Sequence, residues 1–136
     1  MRYIAKVNNT PDVIRVMIHS DSDGSALLYI FDSPFDGACT ADYWFASVDD
    51  AAECAAEDYG VKASDWFDVP DPQTHCQGDW VTPAKIPGRE LNAPEWGQLQ
   101  LWLDGQWRER DMTVPSTVEI DYNQLTPSAR FAPNAG

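Results

Sequence analysis

The chain predicts a single small α+β domain, an antiparallel β-sheet made of an N-terminal meander and a C-terminal hairpin, with one principal α-helix. Three observations carry this. The first 32 residues alternate in polarity and are broken by two turn clusters. One amphipathic run, Val48 to Tyr59, has a serine before it and a glycine after it. Asp104-Gly105 separates two short alternating runs, the strongest local hairpin signal. A length of 136 residues is that of one domain, and 43% hydrophobic residues supply a core.

In the first strand, Arg2 to Val7, Tyr3, Ala5 and Val7 share one face and Arg2, Ile4 and Lys6 the other. Asn8 to Asp12 is a turn cluster. The second strand, Val13 to His19, is β-branched and places Ile14, Val16 and Ile18 together. Ser20-Asp21-Ser22-Asp23-Gly24 closes a hairpin, with Gly24 free to take positive φ. Ala26 to Phe31 is apolar on both faces, as in a strand covered on each side. Tyr43-Trp44-Phe45 reads as a short strand or edge segment.

The helix follows. Ser47 is its N-cap, and Asp50 three residues on nearly completes a capping box. Asp49 and Asp50 fall in the first turn, where the helix dipole favours acids. Val48, Ala51, Ala52, Ala55 and Tyr59 form one stripe, and Asp49, Asp50, Glu53 and Glu57 lie opposite. Gly60 ends the helix, with Val61 making the closing apolar contact.

Ser64 is expected to cap a second short helical turn running into Trp66 and Phe67. Prolines punctuate residues 69–96, with an edge strand expected at Asp79 to Ile86 because Pro83 interrupts it. The hairpin spans Gly97 to Glu109, with Leu101 and Leu103 on one face and Trp102 on the other. A further strand is expected at Ser116 to Tyr122. Residues 1–122 therefore read as the domain, and 123–136, with Pro127 and Pro133, as a frayed tail.

Charge is the dominant functional signal. From Val16 to Ala84 there are fourteen acidic residues and one basic residue, Lys62. A net charge of −13 repels nucleic acid and anionic membranes. No apolar stretch approaches the eighteen residues of a membrane span, and the start turns polar before a signal-peptide core could form. A cytoplasmic location is the expectation.

The acidic candidates for contact with a basic protein are Asp49, Asp50, Glu53 and Glu57 on the helix and Asp21, Asp23 and Asp36 in turns. The alternative reading of the same acids is a solvated surface, or adaptation to high salt. A separate candidate pocket is drawn from the aromatic and sulfur-bearing loops: Cys39, Trp66, His75, Cys76, Trp80 and Trp96. Most of the six tryptophans are expected in structural positions, with Trp80 and Trp96 as the exceptions.

No cofactor or metal is expected. The three cysteines lack CxxC spacing, and His75-Cys76 are adjacent, an awkward geometry for two ligands of one ion. A Cys39–Cys76 pair bridging two loops, as a disulfide or as neighbouring thiols, is favoured over a metal site. Asp21-Ser22-Asp23-Gly24 looks like half a calcium loop but lacks the later oxygen ligands and the closing glutamate. Nucleophilic catalysis has only His19 and His75 as bases, and no spacing favours either beside a cysteine. No P-loop, GxGxxG, HExxH or GxSxG occurs.

Three strands, then Gly37-Ala38-Cys39-Thr40, then Ser47-Val48-Asp49-Asp50-Ala51-Ala52-Glu53 resemble the N-terminal half of HicB-like antitoxins over roughly residues 1–60. The chain is also similar in general style to small acidic bacterial immunity proteins. The first resemblance implies a small sheet carrying a short acidic helix, and both imply a neutralising role toward a partner protein.

The expectation is a non-enzymatic acidic protein that meets a cationic partner, as an immunity protein or antitoxin does. The alternatives are a small enzyme or ligand-binding domain using the loop pocket, and acidity that reflects habitat alone.

Overall fold

A computed structural model describes residues 1–8 and 10–131. Among the described residues, nine short strands form two antiparallel sheets beside one principal helix, α1 (Val48–Tyr59). The first four strands are β1 (Arg2–Lys6), β2 (Arg15–Ser20), β3 (Ala26–Phe31) and β4 (Ala41–Phe45). They are joined by β5 (Phe67–Val69) and β9 (Thr126–Pro127) in a six-stranded sheet ordered β4-β3-β2-β1-β5-β9. The second sheet, β6-β7-β8, contains β6 (Ala84–Lys85), β7 (Gln98–Leu103) and β8 (Gln106–Asp111).

The α+β expectation, with its meander, principal helix and C-terminal hairpin, holds. The meander gains β4 as a fourth strand, and its first strand is interior because β5 returns to pair with it. Alternation sorts the large sheet into two faces. On one, Tyr3, Ala5, Val16, Ile18, Leu28 and Ile30 pack against Val48, Ala51 and Ala55 of α1. The alanine stripe lets the helix lie close to the sheet. On the other, Ile4, Met17, Tyr29, Phe31 and Val69 are covered by Val81 and by the segment bearing Ile120, Tyr122 and Leu125. A third cluster joins Trp80 to Ala84, Leu99 and Leu101 of the small sheet.

The helix ends follow their sequence signals. The Ser47 hydroxyl accepts the Asp50 N–H at 3.1 Å. Gly60 takes φ 69°, and Val61 N–H donates back to Ala55 O at 3.2 Å while its side chain is buried. Asp104 and Gly105 both have positive φ, at 53° and 79°, as the two-residue hairpin turn requires.

Several expectations are corrected. β2 begins at Arg15, and Ile14 lies before it, 39% exposed, rather than beside Val16 and Ile18. The short turn after α1 is a 3₁₀ turn, Ala63–Asp65. Lys62 rather than Ser64 stands at its cap, because the Asp65 carboxylate accepts the Lys62 N–H at 2.8 Å. The strand expected at residues 79–86 shrinks to β6, which is an edge as Pro83 implied. Residues 116–122 form one bridge, Phe35 with Glu119, instead of a strand.

The frayed-tail expectation fails for residues 123–131. β9 pairs with β5, Ser128 N–H donates to Trp66 O at 2.9 Å, and Phe131 packs on the rings of Tyr3 and Trp66. Two prolines hid a segment anchored by one aromatic side chain. Residues 132–136 lie outside the described residues, as does Asn9 of the first turn cluster.

Candidate functional site

Helical spacing alone places Asp49, Asp50, Glu53 and Glu57 away from the alanine stripe, and all four are exposed. Asp58 is exposed as well, at the edge of this face. Arg130 reaches Asp49 at 3.3 Å, and among the described residues no other ion pair touches the helix acids. Strand register fixes where this face sits. Ala26 of β3 pairs with Phe45 of β4, and Ser47 follows two residues later. The β2–β3 turn carrying Asp21 and Asp23 therefore stands at the same end of the sheet as the N-terminus of α1.

The turn acids differ among themselves. Asp21 is exposed. Asp23 is exposed too, but its carboxylate accepts the Ser25 N–H at 2.9 Å and the Ser25 hydroxyl at 2.6 Å. Those two bonds hold its carboxyl below the usual range.

Asp36 leaves the partner-binding set altogether. It is 1% exposed, and its carboxylate accepts the N–H groups of Val81 at 2.9 Å and Thr82 at 2.6 Å. Burial pushes its carboxyl up, while the two N–H donors and the nearby Arg15 pull it down. Its role is to tie the loop after β3 to the loop before β6.

The sheet face opposite the helix holds two buried cations that sequence reasoning did not single out. Arg2 and Arg15 are each 2% exposed. Arg2 donates to the carbonyls of Pro70, Gly78 and Trp80. Arg15 stacks on the Phe31 ring at 3.9 Å and donates to the carbonyls of Ser33 and Phe35. Their only signal in the sequence was parity, since each falls in phase with a buried apolar residue of its strand.

β4 adds a feature that composition did not reveal. It is an edge strand, paired only with β3 among the described residues. Tyr43 is 52% exposed and Trp44 67% exposed. Ala41 and Phe45 pack toward α1, so alternation puts Tyr43 on the helix side and Asp42 with Trp44 on the other. Tyr43 lies close enough to Tyr59 of α1 to help raise that phenol's pKa, after burial, its main cause.

The six residues of the loop pocket do not gather. Cys76 and Trp80 share a cleft of about 290 Å³ with Arg2. Trp80 is 7% exposed and belongs to the third cluster, so it is a core residue rather than an exception. Trp66 is buried on the helix side of the sheet. His75 and Trp96 are exposed outside the cleft, Trp96 at 70%. Cys39 lies outside that cleft, and the Asp79 carboxylate accepts its N–H at 2.9 Å. Burial and Asp79 push the Cys39 thiol up to about 12, and burial raises Cys76 as well. Both thiols are therefore protonated and weak as nucleophiles at neutral pH.

All three cysteines are free, so the disulfide alternative for Cys39 and Cys76 is not formed. Among the described residues, no group of three or more His, Cys, Asp and Glu could hold a metal ion. No helix among them is long and apolar enough to cross a membrane. Comparison of the chain with protein-family models, curated proteins and solved structures gives no match.

Proposed function

We propose that the protein is a non-enzymatic, cytoplasmic binding protein whose acidic helix face receives a basic partner protein, in the manner of an immunity protein or antitoxin. The observation that carries this reading is the set Asp49, Asp50, Glu53 and Glu57, exposed on one helix face with Arg130 as the one cation paired to it among the described residues. Complementary charge of this kind speeds encounter and selects against wrong partners.

The distribution of charge supports a site over habitat. Residues 85–136 carry seven acids and five bases, close to balance, while residues 16–84 carry fourteen acids and one base. Adaptation to salt would load both parts. The loop-pocket alternative loses support because only Cys76 and Trp80 of its six residues share a cleft and its thiols are held protonated.

The test is affinity capture from the protein's own lysate at low ionic strength, followed by elution with rising NaCl. Enrichment of a basic protein that elutes below about 0.5 M salt supports the reading, because screened surface charge weakens over that range. Recovery of no basic protein at low salt defeats it.

A further inference from the structure

We propose that β4 is a docking strand, which a basic partner extends by adding one of its own strands along the open edge. The inference deepens the acidic-surface reading and rests on it for the charge of the partner.

Exposed edges are usually defended by charge, proline, a bulge or short length. Two edges of this fold are short, since β6 and β9 have two residues each. The edge strand β8 reads Gln-Trp-Arg-Glu-Arg-Asp, with four consecutive charged residues. β4 has none of these defences apart from Asp42. Its five residues are Ala-Asp-Tyr-Trp-Phe, in regular register with all but one residue of β3. Tyr43 and Trp44 stand out on opposite faces of it, so a strand added here would be gripped by an aromatic ring above and another below.

Strand addition draws affinity from main-chain hydrogen bonds, and the alternating side chains supply specificity. The side chains that fit are cationic. Asp42 projects on the Trp44 face. On the other face Tyr43 lies near Tyr59 of α1, and Asp58 beside Tyr59 in the helix supplies an exposed carboxylate. A second copy of the chain fits poorly, because pairing β4 with β4 would bring two helices of like charge together in a molecule of net charge −13. The occupant is therefore an extended segment with Lys or Arg at alternating positions.

The test uses the full chain and two end-blocked peptides of alternating valine with lysine or with glutamate, at low ionic strength. Backbone amide hydrogen exchange across β4 is followed by NMR, with the Trp44 indole as a second signal. The lysine peptide should slow exchange at β4 amides and shift the indole, and the glutamate peptide should do neither. Trp44→Lys should weaken the lysine peptide about tenfold, as edge lysines block strand pairing. Trp44→Phe should keep most of the binding.

Binding of the lysine peptide with unchanged exchange at β4 would overturn strand addition while leaving the acidic surface intact. Absence of lysine-peptide binding would overturn this inference and weaken the charge reading with it. Protection of β4 on concentrating the protein alone would also overturn it, in favour of a second copy.

Discussion

Arg130 reaches back from the C-terminal segment to Asp49, with nitrogen and oxygen 3.3 Å apart, and so covers part of the acidic helix face with the chain's own charge. Both side chains are exposed, at 44% and 77%, and a pair of this kind contributes at most about 1 kcal/mol. Replacing Arg130 with Gln should therefore leave the urea midpoint nearly unchanged. The same R130Q change should tighten binding of a lysine-containing peptide at low salt, as read by titration calorimetry, because it removes a competing cation.

Asp36 makes a different prediction, although it is also an acid of the charge run. Its carboxylate satisfies the N–H groups of Val81 and Thr82 and lies near the buried Arg15. Asp36→Ala strips both donors of their partner, at about 1–3 kcal/mol for each group left unpaired. Urea unfolding should show a loss of about 3 kcal/mol. Capture of a basic partner, measured at a temperature where the variant stays folded, should be unaffected.

Phe131 tests the anchored C-terminal segment. Its ring meets Tyr3 edge-on at 5.0 Å between centroids and lies 5.2 Å from Trp66. Phe131→Ala should destabilise the domain by about 2 kcal/mol, below the range for a fully buried phenylalanine because the residue is only half-buried.

His19 gives the fold a pH dependence. A Cβ on Gly78 would sit 2.8 Å from its Nδ1, so the loop carrying Gly78 lies hard against the imidazole. Burial, Arg2 and the N-terminal amine lower its pKa from 6.5, against weaker opposing pulls from Asp21 and Asp71. The unfolded chain thus takes up a proton that the folded chain resists. The stability contributed by neutral His19 is present above pH 6.5 and falls as pH drops below that value. Thermal melts from about pH 8 to about pH 5.5 should show the wild type losing ground to His19→Gln as the histidine charges.

Local signals decided how much of the fold was legible. Ser47, Gly60 and Asp104-Gly105 each act through neighbouring backbone, and each does in the structure what its chemistry implies. Long-range anchors were not legible. Nothing near Arg2 in the sequence announces the carbonyls of Pro70, Gly78 and Trp80 that bury it. Phe131 sits among prolines and small residues, and its partners Tyr3 and Trp66 are distant in sequence. The helix acids were legible from 3.6-residue spacing, whereas Asp36 was misassigned because turn composition cannot tell an exposed acid from a buried one. The open edge at Trp44 depends on strand order, which periodicity does not carry.

The most direct test of the account compares two variants of equal charge in capture from lysate. One neutralises the helix face, D49N/D50N/E53Q/E57Q. The other removes the same charge from exposed positions elsewhere, D12N/E90Q/E95Q/E109Q. The account predicts that the helix variant loses the basic partner by at least about tenfold, while the second variant retains it near the wild-type level. Equal loss in both, or full retention by the helix variant, would contradict it and leave the acidity as a property of the whole surface.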